Sequence, residues 1–325
     1  MSLPVYLKTL VPGYRNKWKK NTKAMIEELN KLNSEVSFNI FEERPEILIN
    51  KKNLKFTGFK TDSDFLDIFY ILKPWLPRNL NPECFRLALD IVSRYKYPHM
   101  RPDLFLQGFD TDELFGFHGQ HKDNISSIKD VKLKHKFSEA FKPKTNDIII
   151  DCGAYIGLGD ISLSNKLSEG KIIAVEASKE CYDLLVHNLN SNNIKNVIPL
   201  HNAVWENKCR INLNTGNAQA NSLIKDIAEW NNHETVNAVP IDDIVSKFRL
   251  KNVSMISLTL NGAEVEAING ADQTIKKYRP RIRLAGWYYR ENKRIADILK
   301  PILENEFNYL VFVGPRGNLM ALPDK

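Results

Sequence analysis

The sequence predicts an α/β fold: a mostly parallel sheet with helices on both faces, preceded by an additional mixed N-terminal region. Three observations carry that prediction. From Asp147 onward, apolar strand-like runs alternate with helical segments. Residues 147–178, DIIIDCGAYIGLGDISLSNKLSEGKIIAVEAS, read as strand, glycine turn, helix, strand and closing acid, which is half of a nucleotide-binding unit. Charge divides the chain at the same place. Residues 1–145 hold 25 Lys/Arg against 18 Asp/Glu, an excess of +7, whereas residues 146–325 hold 21 of each.

Taken in order, residues 1–21 read as a loop or arm, basic around Arg15 to Lys20. Residues 22–32 read as a helix with Met25, Ile26, Leu29 and Leu32 on one face. Short strands follow at residues 36–41, 47–49 and 54–56, then helices at 62–72 and 82–95, the latter opened by Pro82. Residues 99–123 form a loop dense in aromatic and acidic groups, with His118 and His121 near its end. A mixed, basic stretch runs from Ser126 to Lys144. The regular part predicts strands at 148–150, 172–175, 196–201, 209–214, 255–260, 282–284, 309–313 and 319–322. Helices are expected at 159–168, 179–191, 241–247, 264–277 and 292–305, and a hairpin turn at 314–317. The expected organisation is an accessory region at 1–103, a connecting or cap segment at 104–146 and a cofactor-binding domain at 147–325.

Composition bounds the function. A chain of 325 residues with 43% hydrophobic residues can bury a full core. Its four cysteines, Cys84, Cys152, Cys181 and Cys209, are scattered, so no metal-type spacing is present and a reduced, cytoplasmic protein is expected. The first twenty residues lack the apolar core of a signal peptide, and no apolar run is long enough to span a membrane. The basic N-terminal part suits an acidic partner, or is a solvated surface. It shows no aromatic–basic repeat of the RNA-recognition type.

The glycine turn sets the chemistry. A dinucleotide dehydrogenase would carry G-x-G-x-x-G, but here Asp151 precedes Gly153-x-x-x-Gly157-x-Gly159. Glu176, closing the second strand, is placed to hold the two hydroxyls of a ribose. At this point the chain resembles the class I S-adenosylmethionine-dependent methyltransferases, a Rossmann-like fold. The resemblance narrows to the FkbM type. Asp151-Cys-Gly-Ala-Tyr-Ile-Gly157 is similar to D-x-G-A-N-x-G, and Glu176-Ala-Ser to E-P-x, with Ala177 for proline. Leu200 to Val204, Asn221-Ser222-Leu223 and Val239 to Asp243 resemble further motifs. Residues 256–271, ISLTLNGAEVEAINGA, track I-K-I-D-V-E-G-A-E-x-x-x-L-x-G-A. The resemblance covers about residues 104–325.

It implies S-adenosylmethionine as cofactor, held by Asp151, Gly153, Ala154, Gly157, Glu176 and Ala177, with the adenine near Asn202 and Ala203. It implies a methyltransferase acting on a hydroxyl of a small molecule, sugar or glycan, an anionic acceptor among them. The departures are Ser257, Thr259 and Asn261, where the family has Lys, Asp and Glu. Thr259 and Asn261 can hydrogen-bond an acceptor but cannot act as a carboxylate base. Asn261 also has a plain reading as the cap of the following helix, in capping-box spacing with Glu264. Candidates for the base are His118, His121 and Asp242, the last alternatively a helix cap. Trp287 and Tyr288, after the strand at 282–284, suit stacking on a flat or sugar-like acceptor. Two other functions stay open: a protein of this fold that binds cofactor or partner without turnover, and a nucleic-acid methyltransferase. Absence of an N-P-P-Y motif counts against base N-methylation, and nucleic acid is not the expected partner.

Overall fold

A computed structural model of the chain describes residues 36–41, 44–49, 54–57, 125, 127–215, 222–224, 232–314 and 317–324. The chain divides into two compact units, residues 1–115 and 116–325. In the first, β1 (Val36–Phe41), β2 (Arg44–Ile49) and β3 (Leu54–Thr57) form an antiparallel meander. The helices expected at 22–32, 62–72 and 82–95 and the loop holding His118 and His121 lie outside the described residues.

The second unit opens with α1 (Val131–Ala140), whose N-cap Asp130 accepts from the Leu133 amide at 2.7 Å. It falls within the stretch whose sequence reads as mixed and basic; only Phe137 of that helix is fully buried, so its apolar periodicity is weak. Then follow β4 (Ile148–Cys152), α2 (Leu158–Ser164), β5 (Lys171–Glu176), α3 (Lys179–Ser191) and β6 (Val197–His201). Next come β7 (Ala203–Val204), β8 (Cys209–Thr215), β9 (Asn232–Val239), α4 (Ile241–Lys247) and β10 (Met255–Leu258). The chain closes with α5 (Glu264–Asn269), α6 (Asp272–Tyr278), β11 (Arg281–Ala285), β12 (Tyr289–Arg290), β13 (Lys293–Arg294), α7 (Ile295–Asn305), β14 (Tyr309–Val313) and β15 (Asn318–Pro323).

Seven strands make the central sheet in the order β14-β15-β11-β10-β4-β5-β6. The ladders from β11 to β6 are parallel, and β15 is inserted antiparallel between β11 and β14. Ile149, Ile150, Ile172 and Ile173 are fully buried. Each such side chain contributes about 1.5–3 kcal/mol, which is why these strands read as unbroken apolar runs. From β4 the chain steps to β5 and β6, whereas from β10 it steps the other way to β11. Right-handed crossovers therefore place α2 and α3 on one face and α5 and α6 on the other. The reversal between β4 and β10 leaves a crevice at their carboxyl ends, where open α/β sheets bind ligands.

Two expectations need correction. The single helix expected at 264–277 is two helices, α5 and α6, broken at Gly270. There the Gly270 carbonyl accepts from the Asp242 amide at 3.0 Å, and the chain passes so close to its neighbour that a Cβ would lie 2.4 Å from the Trp205 carbonyl oxygen. The last helix starts at Ile295 and not at Asn292, because residues 289–294 form the hairpin β12–β13. Its turn residues Glu291 and Asn292 both take positive φ, as a tight hairpin requires. A second small sheet, β7-β9-β8, contains the strand 232–239, which sequence reading left unassigned.

Candidate functional site at the β4–β10 switch point

The glycine turn sits at the carboxyl end of β4. Gly153 and Ala154 donate from their amides to the Val175 carbonyl at 2.9 and 3.0 Å, and the Gly157 amide donates to Ala154 at 3.0 Å. Gly153 and Gly157 take φ of 88° and 83°, a region costly for residues with a Cβ. Gly153 is fixed a second way: a Cβ would stand 2.1 Å from the Thr259 carbonyl oxygen. The Thr259 amide in turn donates to Cys152 at 2.9 Å. The predicted cofactor turn and the predicted acceptor strand end are thus in direct backbone contact.

Glu176 closes β5 beside this turn. Its carboxylate accepts from the Tyr155 amide at 2.8 Å and from the Ser178 amide at 2.9 Å, one bond to each oxygen. Burial raises its pKa to about 7 against the pull of those amides. Tyr155 holds its amide there from a left-handed conformation, φ 55°, that suits Asn better than Tyr. Ser178 also caps α3 through the Cys181 amide at 3.5 Å. Each carboxylate oxygen still has acceptor capacity, so the group fits a pair of vicinal hydroxyl donors. A ribose diol is such a pair, and on this count the residues fit a nucleoside cofactor.

Asn202 and Ala203 follow β6 at the same edge. The Asn202 amide donates to the Glu176 carbonyl at 3.1 Å, and its side chain donates to the Asn237 carbonyl at 3.0 Å, tying β6 to β9. Ala203 is buried between them. His201 makes a 3.0 Å contact to the Ala177 carbonyl and stacks on Tyr182.

On the β10 side, Asn261 does not cap α5. It takes φ 53°, and the N-cap position falls on Ala263, which makes no side-chain bond. The reaching back is done by Glu264. Its buried carboxylate accepts from the Leu260 amide at 2.8 Å and the Gly262 amide at 3.0 Å, and burial raises its pKa to about 7. Asn261 is held from both ends: the Ser222 hydroxyl donates to its carbonyl at 2.8 Å, and the Tyr288 hydroxyl donates to its Oδ1 at 2.9 Å. Trp287 packs against Tyr288 with ring centroids 5.9 Å apart. Asp242 is placed elsewhere. Its carboxylate accepts from the Gln273 amide at 3.0 Å and from the amide and hydroxyl of Thr274, so it caps α6.

The structure therefore brings together Asp151, Gly153, Ala154, Gly157, Glu176, Thr259, Asn261 and, through Asn261, Tyr288. It sets Asp242 apart, and His118 and His121 lie outside the described residues. Sequence reading missed Asp160 and Arg283, and it named Ser222 only within a motif and Glu264 only by its capping-box spacing, without a place in the site. For Arg283 a signal existed: Arg281 and Arg283 alternate along a strand otherwise apolar, which demands acidic partners on one face. Arg281 pairs with Asp147 at 2.6 Å, and Arg283 lies in register with Ser257 and Asp151.

Residues 151–311 match the family described as the methyltransferase FkbM domain. Methyltransferase sdnD of Sordaria araneosa is 25% identical over 176 residues, which is 45% of this chain and 68% of that protein. Among solved structures, the FkbM methyltransferase of Methylobacillus flagellatus KT superposes with a TM-score of 0.43 at 14% identity, covering 80% of this chain. That match spans 60% of the length of the M. flagellatus chain. An S-adenosylmethionine-dependent methyltransferase from Aquifex aeolicus gives 0.35 at 16% identity over 61% of this chain and 94% of its own. Residues 151–311, which carry the switch-point site, are thus a methyltransferase domain of the FkbM family.

Proposed function

We propose that the protein is an S-adenosylmethionine-dependent O-methyltransferase acting on a hydroxyl of a small molecule, sugar or glycan. One observation carries the reading: Glu176, with acceptor capacity left on both oxygens, stands beside a glycine turn that touches Thr259. The cofactor supplies a methyl group activated on a sulfonium. The chain's own residues do the rest. Glu176 binds the ribose hydroxyls, the turn at Gly153–Gly157 admits the cofactor's backbone-hugging portion, and Asn202 and Ala203 border the adenine. Thr259, Asn261, Trp287 and Tyr288 line the acceptor side. Glu264 holds the 260–262 turn, and with it the Asn261 side chain, in one geometry. Fixed geometry is worth about 7–11 kcal/mol of barrier in a displacement of this kind, and a general base a further 10²–10⁴-fold or so. The base is assigned to His118 or His121.

Calorimetric titration with S-adenosylmethionine tests the reading. Binding that weakens at least tenfold in Glu176→Ala is expected. A chain that does not bind the cofactor, or whose affinity ignores that substitution, is not this enzyme. The neutral Thr259 and Asn261 favour a second reading, a protein that binds cofactor without turnover, and one methylated product from an acceptor panel excludes it. The basic excess of residues 1–145 is compatible with an anionic acceptor. Salt-sensitive RNA or DNA binding would point instead to nucleic acid.

A further inference from the structure

Four polar side chains from four elements meet beneath the glycine turn. Asp151, Ser257 and Arg283 lie in one row across β4, β10 and β11. Ser257 is small enough for Arg283 to pass over it, and Arg283 Nε donates to its hydroxyl at 2.9 Å. Ser257 is hydrogen-bonded to Asp151, and the Arg283 charge acts on Asp151 across it. The fourth group is Asp160, in the first turn of α2. Asp160 is 0% exposed and Asp151 7%.

Asp160 is the anomaly. Neither of its oxygens has a well-formed hydrogen bond from another residue among those described, and the one backbone donor acting on it is its own amide. The group within hydrogen-bond reach is the Asp151 carboxyl, another acceptor. Two carboxylates in contact and out of water do not both ionise; a proton between them turns repulsion into an O–H···O bond. The charge count agrees, since one guanidinium balances one of the two acids. Burial and then the Asp151 charge push Asp160 well up, and burial raises Asp151 against the pull of Arg283. The other ionisable groups facing the pair fit: burial and Asp151 push the Cys152 thiol up, the Asp151 charge adds slightly to the rise that burial gives Glu176, and Arg283, lowered to about 10, keeps its charge.

The two acids flank the turn, Asp151 two residues before Gly153 and Asp160 three after Gly157. We propose that Asp151 and Asp160 share one proton in the free protein, and that a cationic donor seated on the glycine turn expels it to solvent. This rests on the cofactor reading above. The sulfonium and ammonium groups of S-adenosylmethionine add positive charge beside Arg283, which favours the doubly ionised pair. The demethylated product carries one positive charge fewer, so it expels less. By linkage, donor affinity rises with pH by up to about tenfold per unit, and so does preference for donor over product.

Calorimetry of the full chain in buffers of different ionisation enthalpy at pH 7 tests this. Release approaching one proton per S-adenosylmethionine is expected, and clearly less with adenosine, which engages Glu176 but carries no charge. Asp160→Asn should bind the donor with the adenosine-like release and a flattened pH dependence. In protein labelled with ¹³C-aspartate, the infrared band of a protonated carboxyl should vanish on donor binding, a readout that needs no variant. Binding without proton release, equal release with adenosine, or no protonated aspartate in the free protein overturns the proposal and leaves the cofactor reading standing. Failure of S-adenosylmethionine to bind overturns both.

Discussion

Glu176→Gln separates the functional role of this acid from its effect on stability. Folding raises its pKa from 4.5 to about 7, with burial the chief cause. A carboxyl with a raised folded pKa favours the native state below its unfolded value, and that contribution is lost as pH rises through the folded value. Integrating between those two values, the wild type loses about 2–3 kcal/mol between pH 5 and pH 8 that the glutamine variant does not. The variant has its own constant defect. A glutamine presents one acceptor to the two amides of Tyr155 and Ser178, which costs about 1–3 kcal/mol at any pH. The difference between the two proteins must therefore be compared at two pH values, where the constant term cancels. Thermal denaturation at pH 5 and pH 8 reads it. A unit of this size shifts about 2–4 °C per kcal/mol, so the gap between variant and wild type should move by roughly 5–10 °C in the variant's favour at pH 8. If it stays the same at both pH values, Glu176 is not buried as described, and the argument for its raised pKa fails.

Gly153→Ala puts a Cβ 2.1 Å from the Thr259 carbonyl oxygen at φ 88°, and the left-handed conformation alone costs about 1–2 kcal/mol. We expect at least about 3 kcal/mol of destabilisation in urea melts, with cofactor affinity falling at least tenfold. Arg281→Met leaves Asp147 buried without its 2.6 Å partner and removes the guanidinium bonds to the Ala140 and Lys142 carbonyls, so a loss of about 3–5 kcal/mol should appear in the same melts. Asp242→Ala removes the bonds to Gln273 and Thr274 and should cost about 1–2 kcal/mol while leaving kcat unchanged. A large fall in kcat without a stability change would return Asp242 to the catalytic site.

The sheet was legible because its strands are buried on both faces, so Ile148–Ile150 and Ile172–Val175 are unbroken apolar runs. Strand β9 was not, because only Val236 and Ala238 of NHETVNAV reach the small core. Its period-two signal is faint. The glycine turn and Glu176 were legible because a left-handed turn at a strand end restricts residue type. Asn261 was misread for a related reason. Asn suits both a helix cap and a left-handed turn, and only the position of Glu264 decides between them. Asp160 could not be assigned from the sequence, and Arg283 could be read only as a residue in want of an acidic partner, because the partner's identity lies in a register across three strands that no local pattern fixes.

Three buried carboxyls, on Glu176, Glu264 and Asp160, stand at or next to the ends of β5, β10 and β4, and burial raises all three. Each makes the free protein less stable as pH rises toward 8, so the site is a concentrated source of instability at neutral pH. A ligand that favours the ionised forms relieves part of it, by hydroxyl donors on Glu176 and by positive charge beside Asp151 and Asp160. Ligand stabilisation follows RT ln(1 + [L]/Kd), and Kd falls with pH when binding releases protons. At one saturating concentration, S-adenosylmethionine should therefore raise the melting temperature more at pH 8 than at pH 6, although the free protein melts lower at pH 8. Adenosine should show a smaller difference. An equal or smaller rise at pH 8 would mean that the buried acids and the cofactor turn are not linked, and that the carboxyls serve the fold alone.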